Sequence, residues 1–145
     1  MTTPLTGGCA CGRVRYELHE TPFDTGWCHC RLCQRSAGAP ALVFTTVHVA
    51  SFRITHGAPS IWRSTPFGER GFCATCGALL TIRIDFQPET IDVSAATLDQ
   101  PAAVTPGFHV FCRDAVPWAK IDDGLPRFDQ FRPDTRGLAP GQIQP

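Results

Sequence analysis

Seven of the chain's eight cysteines fall into three short clusters, and no other feature restricts the fold as strongly. The clusters are Gly8-Cys9-Ala10-Cys11-Gly12, Cys28-His29-Cys30-Arg31-Leu32-Cys33 and Phe72-Cys73-Ala74-Thr75-Cys76-Gly77; Cys112 stands alone. Thiols two or three residues apart can converge on one metal ion. The opening residues, Met1-Thr2-Thr3-Pro4, show neither the basic nor the apolar stretch of an export signal. The expected compartment is therefore the reducing cytoplasm, where structural disulfides are rare. A redox role for Cys73-x-x-Cys76 would want a βαβ unit around it, and none is legible. Metal binding is the leading expectation.

Composition excludes several function classes. In 145 residues, 13 Lys and Arg balance 13 Asp and Glu, without a long run of either sign. That argues against nucleic acid or an anionic membrane surface as partner, and no apolar stretch approaches the ~20 residues of a bilayer span. Thirteen glycines and thirteen prolines punctuate the chain. Between them lie stretches of strand character. Val14–Leu18 and Leu80–Ile84 alternate apolar and polar residues, and Ala41–His56 is loaded with β-branched side chains. Ser60–Ser64, Glu89–Ser94 and Gly107–Arg113 read as further strands, the last one carrying Cys112 as a small buried hydrophobe. Only Arg31–Ala37 and Arg127–Phe131 suit a helical turn or two. The class expected is all-β, one domain over residues 5–131, followed by a Pro- and Gly-rich tail over 132–145.

The clusters differ in ligand count. In an extended segment residues i and i+2 share a face, so Cys9 and Cys11 can chelate together; Cys73 and Cys76 add a second pair, completing a closed four-thiolate zinc site. The central cluster offers three thiols, Cys28, Cys30 and Cys33, with His29 turned to the opposite face by alternation. Three protein ligands with an open fourth position characterise a catalytic zinc. The alternative is an ordinary knuckle completed by a histidine or by Cys112.

The order Gly-Gly-Cys-x-Cys-Gly, Cys-x-Cys-x-x-Cys-Gln-Arg and Phe-Cys-x-x-Cys-Gly, followed by His109-Val110-Phe111 and Pro117-Trp118, resembles the glutathione-dependent formaldehyde-activating enzymes, which share a domain with centromere protein V. The resemblance runs from about Gly7 to Trp118. It implies a β-tent of short antiparallel sheets, a structural zinc on Cys9, Cys11, Cys73 and Cys76, and a catalytic zinc on Cys28, Cys30 and Cys33. It leads one to expect an aliphatic residue where Cys112 stands. It also implies a carbon–sulfur lyase that forms S-(hydroxymethyl)glutathione from formaldehyde and glutathione, so the partners expected are a small thiol and an aldehyde.

Three histidines, His29, His56 and His109, have the chemistry of a base for the thiol proton. Gln34, Arg35, Ser36 and Gly38 directly follow the triplet and are expected to line its rim, with Arg35 able to grip a carboxylate. Trp62 and Trp118 read as core residues before pocket floor. The competing function is a non-catalytic, zinc-stabilised β binding module, which would require four-coordinate metal at both sites.

Overall fold

The alternation at the start of the chain becomes β2 (Arg15–Leu18), with Tyr16 and Leu18 buried and Arg15 and Glu17 half-buried, in a computed structural model that describes residues 3–133. β2 lies between β1 (Leu5–Gly8) and β5 (Phe52–His56) in a three-stranded antiparallel sheet. The other strands are β3 (Phe23–Cys28), β4 (Leu42–His48), β6 (Ser60–Thr65), β7 (Gly68–Phe72), β8 (Leu79–Ile84), β9 (Thr90–Ser94) and β10 (His109–Val110). They form a seven-stranded sheet in the order β10-β3-β4-β9-β8-β7-β6. The fold is all-β, and its single α-helix among the described residues is α1 (Arg31–Ala37).

Two buried clusters fill this frame. The first joins Tyr16 and Leu18 of β2 to Val47, Leu80, Ile91 and Val93 of the large sheet, with Cys9 and Cys73 in the same cluster. Each aliphatic side chain so buried contributes about 1.5–3 kcal/mol relative to exposure. The second cluster surrounds Cys28, Cys30 and Cys33 with Leu42, Phe108, Val110 and Phe111. β4 runs centrally between β3 and β9 and buries Thr45, Thr46 and Val47 in succession. Its two threonines are tolerated there because Thr45 pairs with the Thr25 hydroxyl at 2.6 Å and Thr46 donates to Asp92 at 2.6 Å.

The structure departs from the sequence reading in several places. β10 runs parallel to β3, so the sheets are not wholly antiparallel. The β-branched run from Ala41 is broken by a 3₁₀ turn at Val49–Ser51 before β5 begins. Gly107–Arg113 supplies only the two residues of β10, because Phe111 takes a left-handed conformation (φ 56°) and Cys112–Asp114 coil into a 3₁₀ turn. Cys112 is consequently half-buried in a turn rather than buried in a strand. Arg127–Phe131 is not helical; Arg127 bridges His109, and the carbonyl of Phe128 accepts from the Cys112 amide. Phe131 packs edge-on against Phe111 at 4.9 Å, and Arg132 pairs with Asp24 at 3.0 Å. Of the tail expected over 132–145, residues 134–145 lie outside the described residues.

Candidate metal centres

The outer cluster is assembled from two turns built alike. Between β1 and β2 the Cys9 amide donates to the Val14 carbonyl (3.0 Å), and Gly12 closes the turn with its amide on the Cys9 carbonyl (3.2 Å). Between β7 and β8 the Cys73 amide donates to Ala78 (3.0 Å), and the Gly77 amide donates to Cys73 (2.7 Å). Gly12 and Gly77 sit at φ +79° and +78°, a region that side chains with a Cβ rarely occupy. Cys9 and Cys11 therefore share a tight turn, not the extended segment expected from their spacing. The ligand sulfurs of Cys9, Cys11, Cys73 and Cys76 all lie within 4.8 Å of one another, with Cys9 and Cys73 buried and Cys11 and Cys76 exposed. Burial pushes the Cys9 thiol up. The Val14 amide and the neighbouring thiols outweigh it and hold Cys9 down at about 6.

The central cluster forms where β3 meets α1. Cys28 ends the strand, Cys30 caps the helix with its sulfur accepting from the Cys33 amide (3.3 Å), and Cys33 lies in the first turn. All three thiols are buried and within 4.8 Å of one another. Among the described residues no histidine, carboxylate or Cys112 joins them as a fourth donor. Hydrogen bonds from the Cys28 and Cys33 thiols, the Cys33 amide and the Arg70 charge hold Cys30 down at about 3 against its burial. Cys28 is driven the other way, well above the ordinary thiol range, by its hydrogen bonds to the Cys30 and Cys33 thiols and by burial. One proton leaves this trio readily and the next does not, unless a cation occupies the cluster. All-sulfur sets of four and three donors suit a borderline-soft ion such as zinc, and each cluster could hold one metal ion.

His29 projects away from the thiols. Its Nε2 lies 2.8 Å from Nδ1 of His109, whose Nε2 lies 2.9 Å from both carboxylate oxygens of Asp123. Partial loss of water raises the Asp123 carboxyl, but the His109 hydrogen bond and the Leu125 amide prevail and hold it below its usual range. An ionised carboxylate only accepts, so His109 donates to it from Nε2, and in its neutral form the ring then accepts at Nδ1 from His29 Nε2–H. Trp27 stacks on His109 with the rings 6° from parallel.

All three central cysteines line a cavity of about 150 Å³, walled by Phe44, Phe67, Ile82, Phe108 and Phe111 among others. None of the three histidines considered as a base borders it: His29 and His109 face the relay just described, and His56 is exposed at the end of β5 in the other sheet. Its rim is also not the one read from sequence. α1 and its C-terminal cap carry Gln34, Arg35 and Gly38 to a separate, shallow cleft beside Trp118, while Gln34 donates to the carbonyls of His29 (2.6 Å) and Asp114 (2.9 Å). Ser36 borders neither the cavity nor that cleft. Trp118 is 77% exposed and Trp62 is 50% exposed, so neither is core.

The residue that sequence reading missed is Arg70, on β7. Its side chain borders the cavity at 5% exposure and donates from Nη2 to the Cys33 sulfur at 3.4 Å. Gly68-Glu69-Arg70-Gly71-Phe72 shows no apolar alternation to mark it as a strand. The only available signal was its position three residues ahead of the Cys73 knuckle, in a segment that leads into the outer cysteine cluster. Asp24 and Phe111, the two non-glycine residues with positive φ among those described, both border the cavity as well. Such conformations cost of order 1–3 kcal/mol and persist where surrounding structure imposes them.

A crystallised Rhodobacter sphaeroides protein shares this fold. It superposes with a TM-score of 0.58 at 23% identity, covering 85% of this chain and 98% of that one. A Halomonas elongata protein, provisionally named a glutathione-dependent formaldehyde-activating enzyme, is 29% identical over 129 residues, which is 81% of each chain. The family model described as glutathione-dependent formaldehyde-activating enzyme matches residues 4–114, from β1 through the turn that follows Phe111 and so across all three cysteine clusters. The chain therefore belongs to that family.

Proposed function

We propose that this protein is a zinc-dependent carbon–sulfur lyase acting on a thiol–aldehyde adduct. The reaction we infer from the family is formation of S-(hydroxymethyl)glutathione from formaldehyde and glutathione. The observation that carries the reading is the convergence of three buried thiols, without a fourth protein donor among the described residues, on a cavity. In this reading Cys28, Cys30 and Cys33 hold the catalytic zinc, and Cys9, Cys11, Cys73 and Cys76 hold a structural one. A zinc ion with three thiolate ligands supplies Lewis acidity and an affinity for a further soft donor.

The chain's own contributions are separate. The aromatic walls keep water from the reacting atoms, and Arg70 sets a positive charge against the surplus negative charge of the thiolates. In the forward direction the thiol sulfur bonds to the carbonyl carbon and the thiol proton ends on the oxygen; the reverse direction breaks the same carbon–sulfur bond. The eight unpaired cysteines fit a reducing, cytoplasmic setting. No helix among the described residues is long and apolar enough to cross a membrane.

The direct test is exchange between formaldehyde and glutathione, followed by NMR with purified, zinc-loaded protein. Acceleration over the protein-free rate, lost in Cys30→Ser, is the expected result. No acceleration with zinc shown to occupy the central site would transfer the assignment to a binding module.

A further inference from the structure

The cavity is the wrong size and character for formaldehyde alone. Its volume of about 150 Å³ is that of an apolar void that holds one benzene ring, and formaldehyde would leave most of it empty. Its walls are mostly apolar, built from the rings of Phe44, Phe67, Phe108 and Phe111 with the Ile82 side chain, while Asp24, Thr46, Ser64, Thr65, Gln87, Asp92 and Arg132 also border it. Its interior therefore suits an apolar body better than the charged ends of a tripeptide thiol. Into this apolar wall is set one buried cation. Arg70 donates from Nη2 to Cys33, while its Nε and Nη1, both out of water, have no hydrogen-bond partner. A buried donor without an acceptor is costly, by about 1–3 kcal/mol, and two on one side chain beside a void point to an acceptor supplied by a ligand.

Charge decides which acceptor. Three thiolates and a divalent ion would sum to one negative charge. Of the other charged groups that border the cavity, Arg132 pairs with Asp24 at 3.0 Å, Asp92 accepts from Thr46, and Arg70 adds one positive charge, so no positive charge is left over. A carboxylate would add to the negative charge already there, whereas a carbonyl oxygen satisfies the N–H groups without adding charge.

We propose that this cavity takes the body of a neutral apolar carbonyl compound larger than formaldehyde, its oxygen accepting from Nε or Nη1 of Arg70. For its reaction this rests on the thiol–aldehyde reading above; the binding site itself rests only on Arg70, the cavity and a metal ion in the central cluster. The substrate class that follows is a branched or cyclic aldehyde of about the bulk of a benzene ring.

Cyclopentanone, which has this bulk and does not add thiols appreciably, is the probe. Titrated into the zinc-loaded protein, it should give saturable amide shifts at Ile82 and Phe111. Cyclopentane, with the same body and no acceptor, should bind about tenfold more weakly. Arg70→Met should weaken cyclopentanone to the level of cyclopentane. Ile82→Phe, which fills the void from β8, should abolish binding of both while both metals are retained, and it keeps the test intact if Arg70→Met does not fold. In parallel, glutathione exchange should show a kcat/KM for isobutyraldehyde at least tenfold above that for formaldehyde. Absence of saturable shifts, shifts unaffected by Ile82→Phe, or equal affinity for ketone and hydrocarbon would overturn the proposal. Formaldehyde exchange without cyclopentanone binding overturns it too and leaves the lyase reading in place. Cyclopentanone binding with no exchange of any aldehyde supports the site and overturns the lyase reading instead.

Discussion

His109 is fully buried, with one ring nitrogen committed to Asp123 and the other to His29, so its contribution is decided by satisfaction rather than by charge. The chain of donors from His29 through His109 to Asp123 fixes both tautomers and locks the segment between Cys28 and Cys30 from behind. Replacing His109 by leucine preserves bulk but strands the His29 Nε2–H in a buried position. The expected cost is about 1–3 kcal/mol, read as a lowered urea midpoint with unchanged slope. A loss below about 0.5 kcal/mol would mean that water replaces the lost acceptor. Arg70 is its counterpart on the thiol side: a cation taken out of water, with Cys33 as the only protein partner of its guanidinium nitrogens among the described residues.

At the scale of elements, the two cysteine clusters do different structural work. The outer four bring the β1–β2 turn to the β7–β8 turn, so a metal bound there would also supply folding energy. The central three sit on contiguous chain at one strand–helix junction and close no long loop. Cys73→Ser is accordingly expected to give an unfolded or insoluble chain. Cys30→Ser should give a folded chain short of one metal, because a serine hydroxyl can still accept the Cys33 amide at the helix cap. Metal content and circular dichroism of the two variants check this, and a reversed pattern would exchange the roles of the clusters. Much of this architecture was legible from the chain. The period-two pattern marked β2 and β8, and the grouping of seven cysteines into a four and a three followed from their spacing. What stayed hidden has identifiable causes. β3 and β7 carry Gly26, Gly68 and Gly71 at buried positions, where hydrophobic periodicity has nothing to register. Phe111 turns left-handed and cuts β10 short under tertiary packing that no local propensity encodes. The rim residues were misplaced because adjacency in sequence to the triplet means, on a helix leaving the site, a different face of the molecule.

For the molecule as a whole, the small sheet meets the rest through its core contacts, through the outer cysteine cluster and through polar contacts, among them the Tyr16–Thr97 hydrogen bond (2.7 Å) and a junction at Asp99. Asp99 follows β9 and accepts from the Thr6 hydroxyl (2.6 Å) and from both terminal nitrogens of Arg15, while its own amide donates to the Thr6 carbonyl (2.9 Å). The Arg15 and Thr6 hydrogen bonds hold the Asp99 carboxyl below its usual range. A carboxyl depressed in the folded state contributes stability that is fully present above its unfolded pKa and disappears as the pH falls through the folded one. Asp99→Asn should thus lower stability at neutral pH by no more than the 0.2–1 kcal/mol or so typical of exposed pairs, since both partners are well solvated. That difference should shrink as the solution is acidified below the ordinary aspartate range and vanish once Asp99 itself is protonated in the folded protein. Paired urea unfolding of wild type and variant across this window measures it directly. A gap that stays constant with pH would assign the junction to the backbone hydrogen bond between Asp99 and Thr6, leaving the ion pair no net share in holding the two sheets together.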